Sequence, residues 1–269
     1  MLLPYSFASD VPSLREATVK AGFVGRVVAT FRVDEVILYP DRREKPDVRN
    51  ARWLKDVLDY LSTAPYLRML KYPLKPGLRY AGLLPPLNIP SHPEPDAVKT
   101  DGTHYRQALV IASGETSTLE AGLRKPLKIK RRLPKNAVVA LKLNVKGRRF
   151  KYSLVPRQSP VYTGYRVRIA DSLENALKPF SFRIATSRLG EPVENVLDKL
   201  RERMAAGGRT CVAFGAFDRG LKQIAEELQL DYSKLFDITV NTAPRQAVKT
   251  IRTEEALAYT LAILNLISP

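Results

Sequence analysis

The 269-residue chain carries 44 lysines and arginines against 27 acids, a net charge of +17 and a pI near 10.0, a balance that calls for a polyanionic partner, nucleic acid or an anionic membrane surface. Its 45% apolar content is ordinary for a globular core, and it contains no run of about 18 apolar residues that would cross a bilayer. One cysteine (Cys211) and two histidines (His92 and His104) exclude an intrachain disulfide and argue against a zinc site or a Cys–His nucleophile pair. The opening MLLPYSFASDVPSL lacks a basic segment followed by an apolar core, so no secretory signal is expected and a cytoplasmic location fits.

Residues 11–22 read as a short helix stopped by Gly22, followed by a turn of helix or loop and a strand over 33–39. Asp34 and Glu35 are strand neighbours, face opposite sides and make no shared carboxylate site. Residues 40–50 are a charged loop, and 51–71 read as one helix with Trp53, Leu54, Val57, Leu58 and Leu61 at helical spacing. Five prolines within 85–95 forbid regular structure and mark a boundary.

Beyond that boundary the pattern changes. Leu141, Leu143 and Val145 alternate with Lys142, Asn144 and Lys146, Gly147 and Arg148 supply a turn, and Phe150, Tyr152 and Leu154 alternate with Arg149, Lys151 and Ser153. This is the grammar of a hairpin in a small β-barrel, with Phe150 and Tyr152 directed into the barrel and a basic outer face. Residues 97–158 hold 15 lysines and arginines and three acids, so +12 of the net +17 lies here. Such concentration argues for a surface that tracks a nucleic-acid backbone. The expected RNA contacts are Lys128, Lys130, Arg131, Arg132, Lys142, Lys146, Arg148, Arg149 and Lys151. A membrane surface fits poorly, because the charge sits on alternating strands and on no amphipathic helix.

From Gly164 the α/β pattern returns, with a strand, a short helix and then three strand–turn–helix units in a row, which predict a mainly parallel sheet. The turns 185–190, 215–220 and 241–250 are expected to meet at the carboxyl ends of their strands, where such sheets hold ligands. The run TCVAFGAF makes Cys211 a small buried side chain. The last unit, NTAPRQAVKTIRTEEALAYTLAILN, reads as a strand end, a polar loop and a helix with Thr253 as N-cap, Glu254 and Glu255 in its first turn, and Leu257, Leu261 and Leu264 at helical spacing.

These turns carry a family resemblance. NT-x-P-x-Q…TIRTEEA (241–256) resembles the knotted cofactor loop of the SPOUT-class RNA methyltransferases, ATSRLG (185–190) resembles their first loop, with Ala185 in place of the usual glycine, and VAFGAFDRG (212–220) resembles the second. LRYAGLLPPLNIPSHP (78–93) matches the segment that leads into the inserted domain of the C9orf-type branch, in its archaeal-type form. The resemblance runs along nearly the whole chain and implies an α/β fold. Residues 1–92 and 159–269 would form a discontinuous, trefoil-knotted, mainly parallel SPOUT domain, and 93–158 an inserted OB-like RNA-binding barrel.

The resemblance also implies S-adenosyl-L-methionine as cofactor. Its contacts would be Thr186, Ser187 and Gly190 in the first loop, Phe214, Gly215, Ala216 and Gly220 in the second, and Asn241, Thr242, Pro244, Gln246, Ala247, Thr250, Ile251 and Thr253 in the third. Arg26 matches the arginine that ribose-methylating members place near the methyl acceptor, while Arg32 stands where they usually have glycine. Arg245, Arg252 and Glu255 are candidates for cofactor-loop or dimer contacts, or, for Arg252 and Glu255, a local ion pair at a helix start. The implied activity is methylation of RNA, ribosomal RNA first and N3 of uridine as the first atom, by a homodimer without metal or membrane. A non-catalytic RNA-binding protein that keeps the knotted fold is the alternative.

Overall fold

The computed structural model describes residues 1–93, 101–147, 149–156 and 161–268. Along the chain the first half holds β1 (Leu2–Pro4), α1 (Leu14–Thr30), β2 (Glu35–Tyr39), α2 (Val48–Ser62), α3 (Pro65–Lys71), β3 (Gly102–Ala112), β4 (Ser117–Glu120), β5 (Leu127–Ile129), β6 (Val138–Lys146) and β7 (Arg149–Leu154). The second half holds β8 (Arg166–Ile169), α4 (Leu173–Leu177), β9 (Phe182–Pro192), α5 (Val193–Ala205), β10 (Thr210–Ala213), α6 (Leu221–Glu227), α7 (Tyr232–Leu235), β11 (Ile238–Asn241) and α8 (Thr253–Ile267). The chain divides into two units, Met1–Leu58 with Tyr80–Leu84 and Tyr165–Pro269, and Asp59–Arg79 with Pro85–Gly164. The second unit thus takes in residues 59–79 and 85–92 and extends to Gly164, in addition to the insert 93–158 expected from the sequence.

The first unit is built on a six-stranded sheet in the order β11-β9-β10-β1-β2-β8, with every pair parallel. Both faces are covered, as an all-parallel sheet requires. Leu2, Ile37, Tyr39, Ala185, Cys211 and Ala213 pack on one face against Leu173 and Leu177 of α4 and Leu221 and Ile224 of α6. Their strand neighbours Leu3, Leu38, Ile184 and Val212 point the opposite way and are equally buried, while α8 packs along α1 and touches α5. Cys211 is the small buried side chain its apolar run implied, and burial pushes its thiol pKa up to about 11. No helix among the described residues is long and apolar enough to cross a membrane.

Two helices differ from the sequence expectation. Ser13 caps α1 by accepting the Glu16 N–H at 3.2 Å, and the helix does not stop at Gly22. It passes through Gly22 and Gly25, both buried, to Thr30; here the packing of a long helix outweighs the modest helical cost of glycine. Residues 51–71 form α2 and α3 rather than one helix, because Pro65 biases Ala64 away from the helical region and starts a new helix. Arg32, in the link from α1 to β2, has φ 53, the left-handed conformation that glycine adopts at little cost.

The second unit holds a five-stranded antiparallel sheet in the order β5-β4-β3-β6-β7. Its two edges are linked: the Tyr152 hydroxyl of β7 donates to the Lys128 carbonyl of β5 at 2.7 Å and accepts the Lys128 N–H at 3.3 Å. Ala108, Val110, Leu119, Leu141 and Leu143 fill the concave side. Phe150 does not: it is 37% exposed, with its ring 6.1 Å from that of Tyr152. Residues 59–79 join this unit through Gln107, whose side-chain oxygen accepts the Ala64 N–H at 2.7 Å and whose carbonyl accepts the Tyr66 hydroxyl at 2.8 Å.

In this unit His92 places a ring nitrogen 3.0 Å from the Ser62 carbonyl, and burial lowers its pKa from 6.5 to about 4. Below pH 6.5 the unfolded chain takes up a proton that the folded chain refuses until about pH 4, so stability falls as pH drops through that window. The loss expected by pH 4 is about 3 kcal/mol at 1.36 kcal/mol per pKa unit. Urea denaturation from pH 7 to pH 4 checks it: His92→Gln should remove that share of the pH dependence, and a variant that keeps the full slope would show that His92 is not its source.

Candidate active site and nucleic-acid interface

The three turns do meet. β11 pairs with β9 in register up to Thr239 opposite Ala185, and then Val240 lies opposite Glu191, so residues 186–190 are looped out of the ladder. That excursion is tied on both sides. The Thr186 hydroxyl donates to the Ala213 carbonyl at the end of β10, 2.9 Å away. The Asn241 side-chain amide donates to the Arg188 carbonyl at 2.8 Å, and the Arg188 guanidinium reaches the Lys249 carbonyl at 2.8 Å. The Ser187 hydroxyl accepts the Leu189 N–H at 3.1 Å. Gly190 lies against the β11 backbone so closely that a Cβ would stand 2.7 Å from the Val240 carbonyl carbon.

In the second turn Phe214 is buried, with its N–H on the Leu2 carbonyl at 3.2 Å and its own carbonyl accepting the Tyr39 hydroxyl at 2.6 Å. The turn closes on the Ala216 N–H to Arg219 carbonyl bond at 2.9 Å, and a Cβ on Gly215 would stand 2.8 Å from that same carbonyl oxygen. Gly220 faces open space, and its N–H is held by the Gln223 side chain at 3.0 Å.

The third turn begins on Asn241, whose side-chain oxygen accepts the Ala243 N–H at 3.0 Å, an Asx turn. Thr242 shares a 2.9 Å hydroxyl contact with Thr260, which fixes the turn to α8. The Gln246 amide holds the Val248 carbonyl at 2.8 Å. Pro244, Ala247 and Thr250 are exposed and Ile251 is half-buried. Thr253 is the first residue of α8 and not its cap: Arg252 is the N-cap, its N–H on the Glu255 carboxylate at 2.9 Å, while the Thr253 hydroxyl turns to the Gly215 carbonyl at 3.2 Å. Arg245 is 93% exposed and 3.9 Å from Glu194.

Arg26 belongs to α1 and to none of the three turns. Lys20 marks where α1 meets the start of α8, with its ammonium 2.7 Å from Asp10 and 3.1 Å from Glu254. Arg26 lies six residues further along α1, about 9 Å of axial rise from Lys20. It is exposed and shares a helix stripe with Val19 and Phe23, which are 51% and 46% exposed.

Sequence reasoning missed the pairs that hold the second turn. Asp41, 1% exposed, accepts the Ser6 N–H at 3.1 Å, the Ser6 hydroxyl at 2.7 Å and the Arg219 guanidinium at 3.0 Å. Its neighbour Arg42 reaches Asp218 at 3.1 Å, so two adjacent residue pairs exchange charges crosswise. Partners 178 residues apart in the chain leave no local signal.

In the second unit the basic residues take the outward positions. Lys142 lies opposite Ser153, Asn144 opposite Lys151 and Lys146 opposite Arg149, with Tyr105 of β3 opposite Lys142. Lys128, Lys130, Arg131, Arg132, Lys146, Arg149 and Lys151 are exposed and Lys142 is half-buried; Arg148 lies outside the described residues. Arg106 does not contribute to this surface. It is 1% exposed, bonded to the Ala121 carbonyl at 2.9 Å and stacked 4.8 Å from the Tyr66 ring.

Comparison with known proteins matches residues 1–264 to the family described as "Putative RNA methyltransferase". An uncharacterised protein of Halobacterium salinarum is 33% identical over 285 residues, covering 99% of this chain and 98% of the relative, and one of Haloarcula marismortui is 34% identical over 288 residues with the same coverage. The 28S rRNA (uridine-N(3))-methyltransferase of Homo sapiens is 29% identical over 296 residues, covering 98% of this chain and 76% of the relative. A match over 1–264 takes in the three turns and the basic sheet together, and the chain belongs to the family described as "Putative RNA methyltransferase".

Proposed function

We propose that the protein is an S-adenosyl-L-methionine-dependent methyltransferase of the SPOUT class, in its archaeal form, that acts on N3 of a uridine in ribosomal RNA. One observation carries the reading: the three loops are held together by Thr186 on Ala213, Asn241 on Arg188 and Thr253 on Gly215, in a chain similar over 98% of its length to a 28S rRNA (uridine-N(3))-methyltransferase. The reading includes the trefoil knot, supported by the looping out of residues 186–190 against β11, and the OB-like barrel, supported by the strand order together with the Tyr152 link between edge strands.

The loops suit the cofactor. Each presents one exposed apolar side chain, Leu189, Phe217 or Val248, for an adenine or thioether, and Gly220 leaves its flank open. The residues of the three loops, from Thr186 to Thr253, would hold it largely by backbone groups. When bound, S-adenosylmethionine supplies an electrophilic methyl group. The chain's part is to exclude water, to align the acceptor and to manage the proton that leaves N3 as its bond to the methyl carbon forms. A cation over the flanking uracil oxygens stabilises the imide anion, and Arg26 is assigned that role. It lies on α1, outside the three loops, and in this reading it acts on the loops of a second copy. The exposed stripe Val19–Phe23–Arg26, with Tyr259 at 44% and Leu266 at 82% exposure on α8, is the surface for that homodimer. RNA docks on the basic sheet, and the target base is splayed out of the strand to reach the site.

The test uses purified protein, labelled S-adenosylmethionine and ribosomal RNA from cells lacking the gene, with nucleoside mass analysis of the product. Saturable cofactor binding and 3-methyluridine are expected. No binding at millimolar cofactor would leave a non-catalytic RNA-binding protein, and a different methylated nucleoside would overturn the N3 assignment.

A further inference from the structure

Beside the second turn, the first unit carries a cleft of about 460 Å³ lined by Ser6, Ser9, Arg42, Lys45, Asp47 and Arg49, with Pro46 and Val48. That is within the size range of small-ligand sites and large enough for a nucleotide. Its walls are the loop after β1 and the segment entering α2, both at the carboxyl side of the sheet, next to the point where strand order reverses between β1 and β10.

The charge in the cleft is uneven. Asp47 is its only carboxylate, and that group is already engaged: one oxygen accepts the Asn50 N–H at 3.0 Å, capping α2, and the other lies 3.5 Å from the Ser9 hydroxyl. The helix terminus is therefore satisfied from within, and any attraction for an anion comes from side chains. Lys45 and Arg49 are exposed and make no ion pair or hydrogen bond among the described residues. Arg42 is shared with Asp218 at 3.1 Å. Arg52, one helical step beyond Arg49 on α2, is exposed as well and prolongs the row. A row of cations fits a chain of phosphates better than a single small anion.

The position of the cleft gives that row a purpose. Its floor is Ser6, which donates to Asp41, which in turn holds Arg219; its wall is Arg42, which holds Asp218. Both links end in the turn 215–220, so whatever sits on Arg42 lies beside the second loop of the catalytic site. We propose that this cleft seats a phosphodiester of the RNA strand next to the target nucleotide, with Lys45 and Arg49 as its contacts and Arg42 as the hinge to the catalytic loop. The assignment rests on the methyltransferase reading and sharpens it: the basic sheet of the second unit binds the body of the RNA, and the cleft fixes the strand at the reaction centre.

The experiment compares the full-length protein with Lys45→Ala/Arg49→Ala. Neither side chain holds a partner among the described residues, so the thermal melt of the variant should match the parent. The probe is a short single-stranded uridine-rich oligoribonucleotide, titrated across a salt series. Loss of two phosphate contacts should lower the slope of log affinity against log salt by about 1.4, at roughly 0.7 per contact for single strands. Affinity at low salt should fall on the order of tenfold, with cofactor binding unchanged and, in turnover, a raised KM for RNA. An unchanged salt slope and affinity overturn the proposal. Inorganic phosphate is the second probe. Saturable phosphate binding lost in the variant while RNA affinity stays intact would mark a free-anion site and also overturn it. The salt slope is read without turnover, so a parent protein that binds no cofactor would sink the methyltransferase reading and leave the cleft's contact with RNA separately decided.

Discussion

Gly190→Ala is expected to lower stability by about 3 kcal/mol, the upper end of the usual cost of overpacking, and to abolish cofactor binding. The new methyl would stand 2.7 Å from the Val240 carbonyl carbon and 2.9 Å from the carbonyl carbon and oxygen of Thr239. These are backbone atoms, and no side-chain rotation relieves the contact. The backbone is also held on both flanks of the crossing, with Ile238 opposite Ile184 before it and Val240 opposite Glu191 after it. Relief therefore requires pulling β11 from β9, which carries Asn241 off the Arg188 carbonyl and opens the first and third loops together. Gly220→Ala is the matched control, since its Cβ would meet nothing within 4 Å. Thermal melting of the two variants, with cofactor calorimetry of Gly190→Ala, decides the matter. A drop on the order of 10 °C is expected for Gly190→Ala, and none for Gly220→Ala. A Gly190→Ala protein that melts with the parent and still binds cofactor would remove the crossing from its central place in the site.

Periodic features were legible in the sequence, and long-range closures were not. The alternation through Leu141–Leu143–Val145 gave β6 with its correct inward face, because a strand half buried against a core imposes period two whatever else surrounds it. The same rule misplaced Phe150, which has the inward parity opposite Val145, one pair from the hairpin turn, yet is 37% exposed. Glycine as a stop signal misread α1, since Gly22 and Gly25 are buried in its middle. Thr253 had the right chemistry for a cap, but its hydroxyl is claimed by the Gly215 carbonyl, a partner 38 residues back in the chain.

The site itself divides the same way. Each loop was identifiable by its turn residues, and their meeting place followed from the rule for parallel sheets. What locks them together could not be read. The need for glycine at position 190 arises from backbone about fifty residues later, and the charged loop 40–50 shows its meaning only when Asp41 and Arg42 meet Arg219 and Asp218. The placement of Arg26 was likewise hidden: its helix continues past Gly22, and that extension sets it on the exposed stripe with Val19 and Phe23.

Arg219→Met should cost about 3 kcal/mol, the lower end of the penalty for breaking a buried ion pair, because the guanidinium is still 15% exposed. The cost comes from what is left behind. Asp41 is 1% exposed and would keep its two Ser6 bonds, at 3.1 and 2.7 Å, while losing the cation that faces it. The same arginine also donates to the Asp41 carbonyl at 3.0 Å, to Asp218 at 3.2 Å and to Glu227, so one side chain gathers the end of β2, the second loop and the end of α6. Arg219→Lys should recover little, since an ammonium cannot span that fork. A double-mutant cycle separates the ion pair from general damage. With Asp41→Asn the buried charge is gone, so the double variant should be more stable than the sum of the two single losses predicts, by at least about 1 kcal/mol, the scale of coupling between contacting residues. Urea denaturation of the four proteins measures it. Strict additivity would mean that Asp41 and Arg219 do not hold each other, and the second loop would need another anchor.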